Sequence, residues 1–320
     1  MFRPLLLIKS LVLGSLLCSL SFSTYADLEE MNPSARENTL VVGVISSNPK
    51  KAFKRTQPFA DYLASQLEHH NITSARIAVA KDTMQMANWL QNGQVDLLSD
   101  TAFSAYELVK DVDAQMLARR WKSGVAEYST VFFSHSDNNI QSFEDLKGKV
   151  IAFEDRGSTS AFIIPSALLL QQGYELYELS SLRELPPADK IGYIFADEFS
   201  RKGGETNMMS WVHRKITAAS AFSNLDWQEE IPDRIKPELN IFYTSQSIPR
   251  GIVLARHDMP LTLKNDLITI LLSAHKNKAG QQALAAYKKT KKFDAISPSI
   301  KQSIDRVGEM KTLLNSHLVN

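Results

Sequence analysis

The chain has 320 residues, with 36 basic and 35 acidic side chains and one cysteine. A formal charge of +1 gives no electrostatic case for nucleic acid or an anionic membrane as partner. One cysteine excludes an intrachain disulfide and a cysteine-based metal cluster, and the length favours two lobes over one.

Residues 1–26 read as a cleavable secretory signal. Arg3 and Lys9 form a basic start, Leu11 to Leu20 an apolar core too short for a bilayer, and Thr24-Tyr25-Ala26 a cleavage site. Leu17 stands before Cys18 where a lipoprotein signal needs a small residue, so cleavage is placed after Ala26. Loss of Arg3 and Lys9 leaves 34 basic and 35 acidic residues, a formal −1. No later apolar run reaches the roughly 18 residues of a membrane span. A periplasmic protein is expected.

Asp27 to Asn38 is polar and reads as a loose leader. Thr39 to Ile45 is a near-continuous apolar run, as buried parallel strands are. The turn Ser46-Ser47-Asn48-Pro49 follows it. Ligands of open α/β sheets sit beyond the carboxyl ends of strands, so Ser46, Ser47 and Asn48 are candidates; an ordinary strand-to-helix turn fits equally. Lys50 to Leu67 predicts an amphipathic helix with Phe53, Phe59, Tyr62, Leu63 and Leu67 inward. Ala75 to Ala80 is a second strand. Asp82 caps a helix that ends at Asn92-Gly93. Val95 to Leu98 is a third strand, and Ser99-Asp100-Thr101-Ala102-Phe103 a second hydroxyl-bearing turn before a helix. This alternation implies a parallel, doubly wound lobe.

Trp121 to Tyr128 breaks the pattern, and Ser129 to Ser134 is a strand in a second lobe. Phe143 to Gly148 is one helical turn ending in Gly. Strand Lys149 to Phe153 then runs into Glu154-Asp155-Arg156-Gly157-Ser158-Thr159-Ser160-Ala161 and a helix from Phe162 to Gln171, with Pro165 in a tolerated early position. The first N–H groups of a helix lack internal partners and carry partial positive charge. With a Gly and three hydroxyls they suit a phosphate, phosphonate or carboxylate. Ser and Thr are also favoured caps, and the residues by themselves fit both readings. Ile191 to Phe195, a helix around Asn207 to Val212, Ile216 to Ala221 and Ile241 to Thr244 complete the second lobe, with Leu225 to Leu239 a loop. Ser245 to Arg250 returns the chain to the first lobe through strand Gly251 to Ala255. Three helices follow Met259. Lysines 276, 278, 288, 289, 291 and 292 read as a solvated helix face.

No metal centre or catalytic set emerges. His69 and His70, as helix neighbours, would point to different faces. His135 and His213 are isolated. There is no HExxH, no calcium loop, no Gly-x-Ser-x-Gly elbow and no Walker sequence around Gly203-Gly204. The four tryptophans, Trp89, Trp121, Trp211 and Trp227, read as core or cleft wall and not as a nucleic-acid stacking set.

Taken together, these segments resemble the phosphate/phosphite/phosphonate-binding (PhnD-like) family of periplasmic substrate-binding proteins of ABC transporters. The resemblance runs over most of the mature chain. It is most specific at Phe143-Glu144-Asp145-Leu146-Lys147-Gly148-Lys149-Val150-Ile151-Ala152-Phe153, followed by Ser158-Thr159-Ser160 and Pro165. Gly43-Val44, Tyr62-Leu63, Gly93 to Leu97, Tyr128-Ser129, Ile248-Pro249 and Asp258-Met259-Pro260 support it. It implies an α/β, two-lobed periplasmic-binding-protein fold (type II-like), each lobe a mainly parallel sheet flanked by helices, with two hinge crossings. Lobe I would be residues 39–127 plus 250–320, and lobe II residues 128–249. Ser158, Thr159 and Ser160 would hold the anion, with Tyr128 beside the cleft and Asn48 and Thr101 facing them from lobe I. Family members that bind aminoalkylphosphonates carry a His-Asp pair where this chain has Ala196-Asp197-Glu198. They also carry an acid near Ile216 to Ala219 that this chain lacks, so the ammonium end of such a ligand is in doubt. Phosphate, phosphite, a small phosphonate or a phosphate ester stay open. The expected protein is a monomer without cofactor or catalysis that passes a small anion to an ABC permease. One alternative output is a membrane sensor kinase; another is phosphoester hydrolysis in the same pocket.

Overall fold

The computed structural model describes residues 38–199 and 204–318. The leader expected at 1–26 lies outside the described residues. Among these residues no helix is long and apolar enough to cross a membrane.

The first half begins with β1 (Thr39–Ile45), α1 (Pro49–Ser65), β2 (Ser74–Ala80), α2 (Thr83–Gln91), β3 (Leu97–Asp100), α3 (Ala102–Val112) and β4 (Gln115–Arg120). The short strand β5 (Glu127–Tyr128) leads to β6 (Thr130–His135), β7 (Val150–Phe153), α4 (Ile164–Gln171), β8 (Leu176–Glu178) and β9 (Ile191–Phe195). Then come α5 (Ala196–Phe199), α6 (Gly204–His213), β10 (Ala219–Ser223), α7 (Asn224–Glu229) and β11 (Leu239–Thr244). The chain returns through β12 (Ile248–Pro249) to β13 (Ile252–Ala255), α8 (Leu261–Ser273), α9 (Lys278–Ala286), β14 (Phe293–Asp294) and α10 (Pro298–Leu318).

Two six-stranded mixed sheets result, in the orders β14-β4-β13-β3-β1-β2 and β11-β6-β10-β7-β9-β8. In the first, β2, β1 and β3 run parallel and the returning β13 pairs antiparallel with β3 and β4. In the second, β8, β9, β7 and β10 run parallel, and β6 pairs antiparallel with both β10 and β11. β5 and β12 pair with each other, Ile248 opposite Tyr128, where the two passages between the sheets lie side by side.

α1 follows the expected logic. Asn48 accepts from the Lys51 N–H, Pro49 supplies a preset φ, and Ala52, Thr56, Phe59, Ala60 and Leu63 recur on one face. Phe59 and Leu63 are fully buried, each worth about 1.5–3 kcal/mol of apolar transfer. Phe53, expected inward, is 40% exposed. The lysine-rich stretch after α9 also differs from expectation. Lys288 and Lys289 are not helical but left-handed, with φ 51° and 49°, and Lys288 turns into the cavity described below. Lys291 and Lys292 lie over the Trp121 ring.

α10 packs on α3 from one half and α4 from the other. Its Ile300, Ile304, Val307, Met310 and Leu314 join a single apolar cluster that contains Phe103 and Leu108 as well as Phe132 and Phe162. Space against α3 is tight: a Cβ on Gly308 would stand 2.1 Å from the Tyr106 ring.

Candidate anion-binding site

Strands β1 and β3 are parallel neighbours, so their carboxyl ends open on the same side. At the end of β1, Ser46 Oγ accepts from the Asn48 N–H at 3.1 Å and Asn48 Oδ1 caps α1. At the end of β3, Asp100 Oδ1 accepts from the Thr101 N–H at 2.7 Å and the Ser104 hydroxyl at 3.1 Å, while Thr101 Oγ1 caps α3. Two helix N-termini therefore converge at one cavity of about 380 Å³, an arrangement that favours negative charge.

The rest of the lining is strongly basic. Lys51 and Arg55 come from successive turns of α1, Arg120 from the end of β4, Lys122 from the turn after it, Arg250 from beyond β12, and Lys288 from beyond α9. Asp100 is the acidic residue among the lining residues. Arg120 is buried, with its guanidinium 3.4 Å over the Tyr287 ring. Its Nε donates to Thr290 Oγ1 at 2.8 Å and its Nη2 to the Tyr287 carbonyl at 2.6 Å. Burial, with Arg250 beside it, pushes its pKa down. Lys122 is pushed well below the usual lysine range by burial and then by Arg250, Lys288 and Arg120. These cations repel one another, and an anion among them would relieve that repulsion. Two further groups lining the cavity, Ser99 Oγ and Arg250 Nε, have no hydrogen-bond partner among the described residues.

Of the residues expected from sequence, Asn48 and Thr101 line this cavity, and Ser158, Thr159, Ser160 and Tyr128 do not. Tyr128 is linked to it through Arg250, whose guanidinium lies 4.7 Å over the Tyr128 ring. The buried Tyr128 side chain in turn lies beside Ser160. Ser158 Oγ accepts from the Ala161 N–H as a cap and lies beside the Glu154 carboxyl. Thr159 is buried with its hydroxyl unpartnered among the described residues. The turn is one wide π turn, Thr159–Ile163, with the Ile163 N–H reaching the Ser158 carbonyl five residues back. Beside it, burial first and Glu205 second push the Glu154 carboxyl up to about 8. Arg156 is paired with Glu178 and Glu198.

Sequence reasoning missed the cations. They come from positions 51, 55, 120, 122, 250 and 288 and meet only in the folded chain. The signal that could have found two of them is the i, i+4 pair Lys51 and Arg55 directly after the Asn48 turn.

XAC2383 from Xanthomonas citri, solved with a chloride ion and with ATP, is 26% identical. The match covers 88% of this chain and 99% of that one, with TM-scores of 0.80 and 0.79. PhnD1 from Prochlorococcus marinus, solved with methylphosphonate, shares the two-lobed fold at 18% identity and a TM-score of 0.61, over 87% of this chain and 99% of that one. The family described as the periplasmic substrate-binding protein of the phosphonate ABC transporter matches residues 42–299. The chain belongs to that family of periplasmic phosphonate-binding proteins of ABC transporters.

Proposed function

We propose that this protein, freed of residues 1–26 on export, captures a small phosphorus oxyanion as a monomer and hands it to an ABC permease without chemical change. Residues 39–127 plus 250–320 would form one lobe and 128–249 the other, closing about the paired strands β5 and β12. The observation that carries the reading is the ring of six basic side chains and one acid around the cavity at the ends of β1 and β3. Closure would bring the Ser158-Thr159-Ser160 turn over an anion held there, with Tyr128 and Arg250 joining the two sides. Water leaves on closure, and charge-assisted hydrogen bonds strengthen as it does. XAC2383 was solved with ATP. A site with so large a surplus of positive charge suits an anion of several charges, so a phosphate ester or oligophosphate stands ahead of a singly charged phosphonate.

Titration calorimetry of refolded, ligand-free protein tests this with phosphate, methylphosphonate, ATP and sulfate. Micromolar or tighter binding of a phosphorus anion is expected, with weaker binding of sulfate. Arg250→Gln, which removes a guanidinium whose Nε has no partner among the described residues, should cost about 1.5–3 kcal/mol of binding, roughly tenfold to a hundredfold. Equal affinity in Arg250→Gln and in Ser160→Ala would remove both sides of the proposed site.

A further inference from the structure

We infer that His69, His70 and Asp266 form a binding site for a divalent transition-metal cation of the zinc type, remote from the anion cavity. Adjacent histidines on an α-helix diverge, and on that ground the pair promises little. The fold removes the objection. α1 has already ended at Ser65, and Glu68–His70 is one tight 3-10 turn closed by Asn71 in the left-handed conformation, φ 59°. The two imidazole rings lie 4.4 Å apart, and both Nε2 atoms point at the same oxygen, Asp266 Oδ2, at 2.9 and 2.7 Å. Asp266 sits on α8, 196 residues further along the chain than His70. All three donor atoms lie within 4.8 Å of one another.

The turn is anchored and not a loose surface loop. Leu67 before it and Ile72 after it are buried in the core cluster that also contains Leu263, Leu267 and Leu271 of α8. The His70 N–H reaches the Leu67 carbonyl and the Asn71 N–H the Glu68 carbonyl, each at 2.9 Å. The donors therefore approach a common point before any ion arrives.

Two imidazoles and one carboxylate suit zinc, copper(II) or nickel, and not magnesium or calcium, which prefer sets of oxygens. Zinc sits about 2.0–2.2 Å from such donors in a tetrahedron, which places neighbouring donors about 3.3–3.6 Å apart. The Nε2-to-Oδ2 distances, 2.9 and 2.7 Å, need to open by roughly 0.4–0.9 Å. Each Nε2 would coordinate through its lone pair, with the proton of a neutral ring on Nδ1 and an imidazolium releasing one proton to the solvent, and water would fill the remaining position on the exposed side. The site lies beyond the carboxyl end of α1, whereas the anion cavity is at its amino end; 17 residues at about 1.5 Å each separate the two by roughly 25 Å. A bound ion would tie the α1–β2 connection to α8 without touching the cleft.

The test uses the chelator-treated mature protein at neutral pH. Zinc, copper(II), nickel and magnesium are titrated by calorimetry in two buffers of different ionisation heat, alongside thermal melts. One ion per chain, release of protons and a raised melting temperature are expected for the first three, and no effect for magnesium. His69→Ala/His70→Ala and, separately, Asp266→Asn should weaken zinc binding at least tenfold while the melting temperature in chelator and the anion affinity stay close to those of the parent. Absence of saturable binding would mean that the trio is only a surface ion pair. Undiminished binding in the double variant would place the ion elsewhere, for example at His135, His213 and Glu238. Either result overturns the inference.

Discussion

Glu154 is the residue whose environment makes the sharpest demand. Its carboxyl stands at the end of β7, beneath Gly204, with Glu205 and Asp155 adding negative charge nearby. Burial and those neighbours raise it from an ordinary 4.5 to about 8, against the opposing influence of the nearby Ser158 hydroxyl. The folded protein then holds a proton, between pH 4.5 and about 8, that the unfolded chain has released. Its contribution to stability is full below the unfolded value and is lost as pH rises through that window. Denaturant midpoints measured from about pH 5 to about pH 9 should fall, and Glu154→Gln should flatten the decline. An unchanged slope in the variant would show that another group titrates. The same proton matters for ligand. A neutral carboxyl beside the Ser158 turn can donate to an anion, and an ionised one repels it, so capture should weaken above about pH 8 in the parent but not in Glu154→Gln.

At the scale of elements, the π turn explains itself through Pro165. Proline has no N–H, so the carbonyls four and five residues back, Ala161 and Ser160, lose their helical donor. The fold supplies substitutes: the Glu154 N–H reaches the Ala161 carbonyl at 3.3 Å, and the Thr130 hydroxyl reaches the Ser160 carbonyl at 2.9 Å. The wide turn is thus pinned to β6 and to the end of β7. Thr130→Val keeps the shape, removes the donor and leaves a carbonyl unpaired beside a fully buried side chain. A loss of about 1–3 kcal/mol is expected in urea unfolding, with faster amide exchange across residues 158–163. Stability equal to the parent would mean that the pin contributes nothing. The turn's position was legible in the sequence, because strand, Gly, hydroxyls and Pro165 all punctuate locally. So were the parallel strands β1, β2 and β3, which are apolar runs between helices. The antiparallel place of β13 between β3 and β4 was not, since pairing partners more than 130 residues apart leave no mark on local periodicity. β4 was hidden for a related reason: Gln115 to Arg120 ends in two arginines, one buried in the cavity wall, and lacks the apolar run of a parallel strand. The hydroxyls of the candidate site could be read from turns, and its cations could not, for they are contributed one or two at a time by α1, β4 and three loops.

For the whole molecule the telling quantity is where charge sits, not how much there is. The sequence as a whole is nearly neutral, with 36 basic against 35 acidic residues. Six of those bases and one acid nevertheless surround one cavity, while Glu154, Asp155 and Glu205 cluster about the turn from β7. Near-neutrality was read from the sequence as an argument against polyanionic macromolecules. Among the described residues, these six bases are gathered at the ends of strands β1 and β3 and not spread along the sequence. A recessed cluster focuses its field outward and draws in small anions, and the effect depends on how far the field reaches through salt. The screening length is about 30 Å at 0.01 M salt and about 8 Å at 0.15 M. Stopped-flow association of the tightest phosphorus anion should therefore slow by roughly tenfold across that range. Dissociation should change little, since an anion held in the cavity would lie among partly buried groups that salt screens poorly. Arg55→Gln and Lys51→Gln, at the exposed rim, should lower the association rate and its salt slope and leave dissociation nearly as it was. An association rate indifferent to salt would mean that the anion meets the cations only after the lobes have closed. Capture would then be limited by the proposed closure about β5 and β12 and by the hold of α10 across α3 and α4, not by the field.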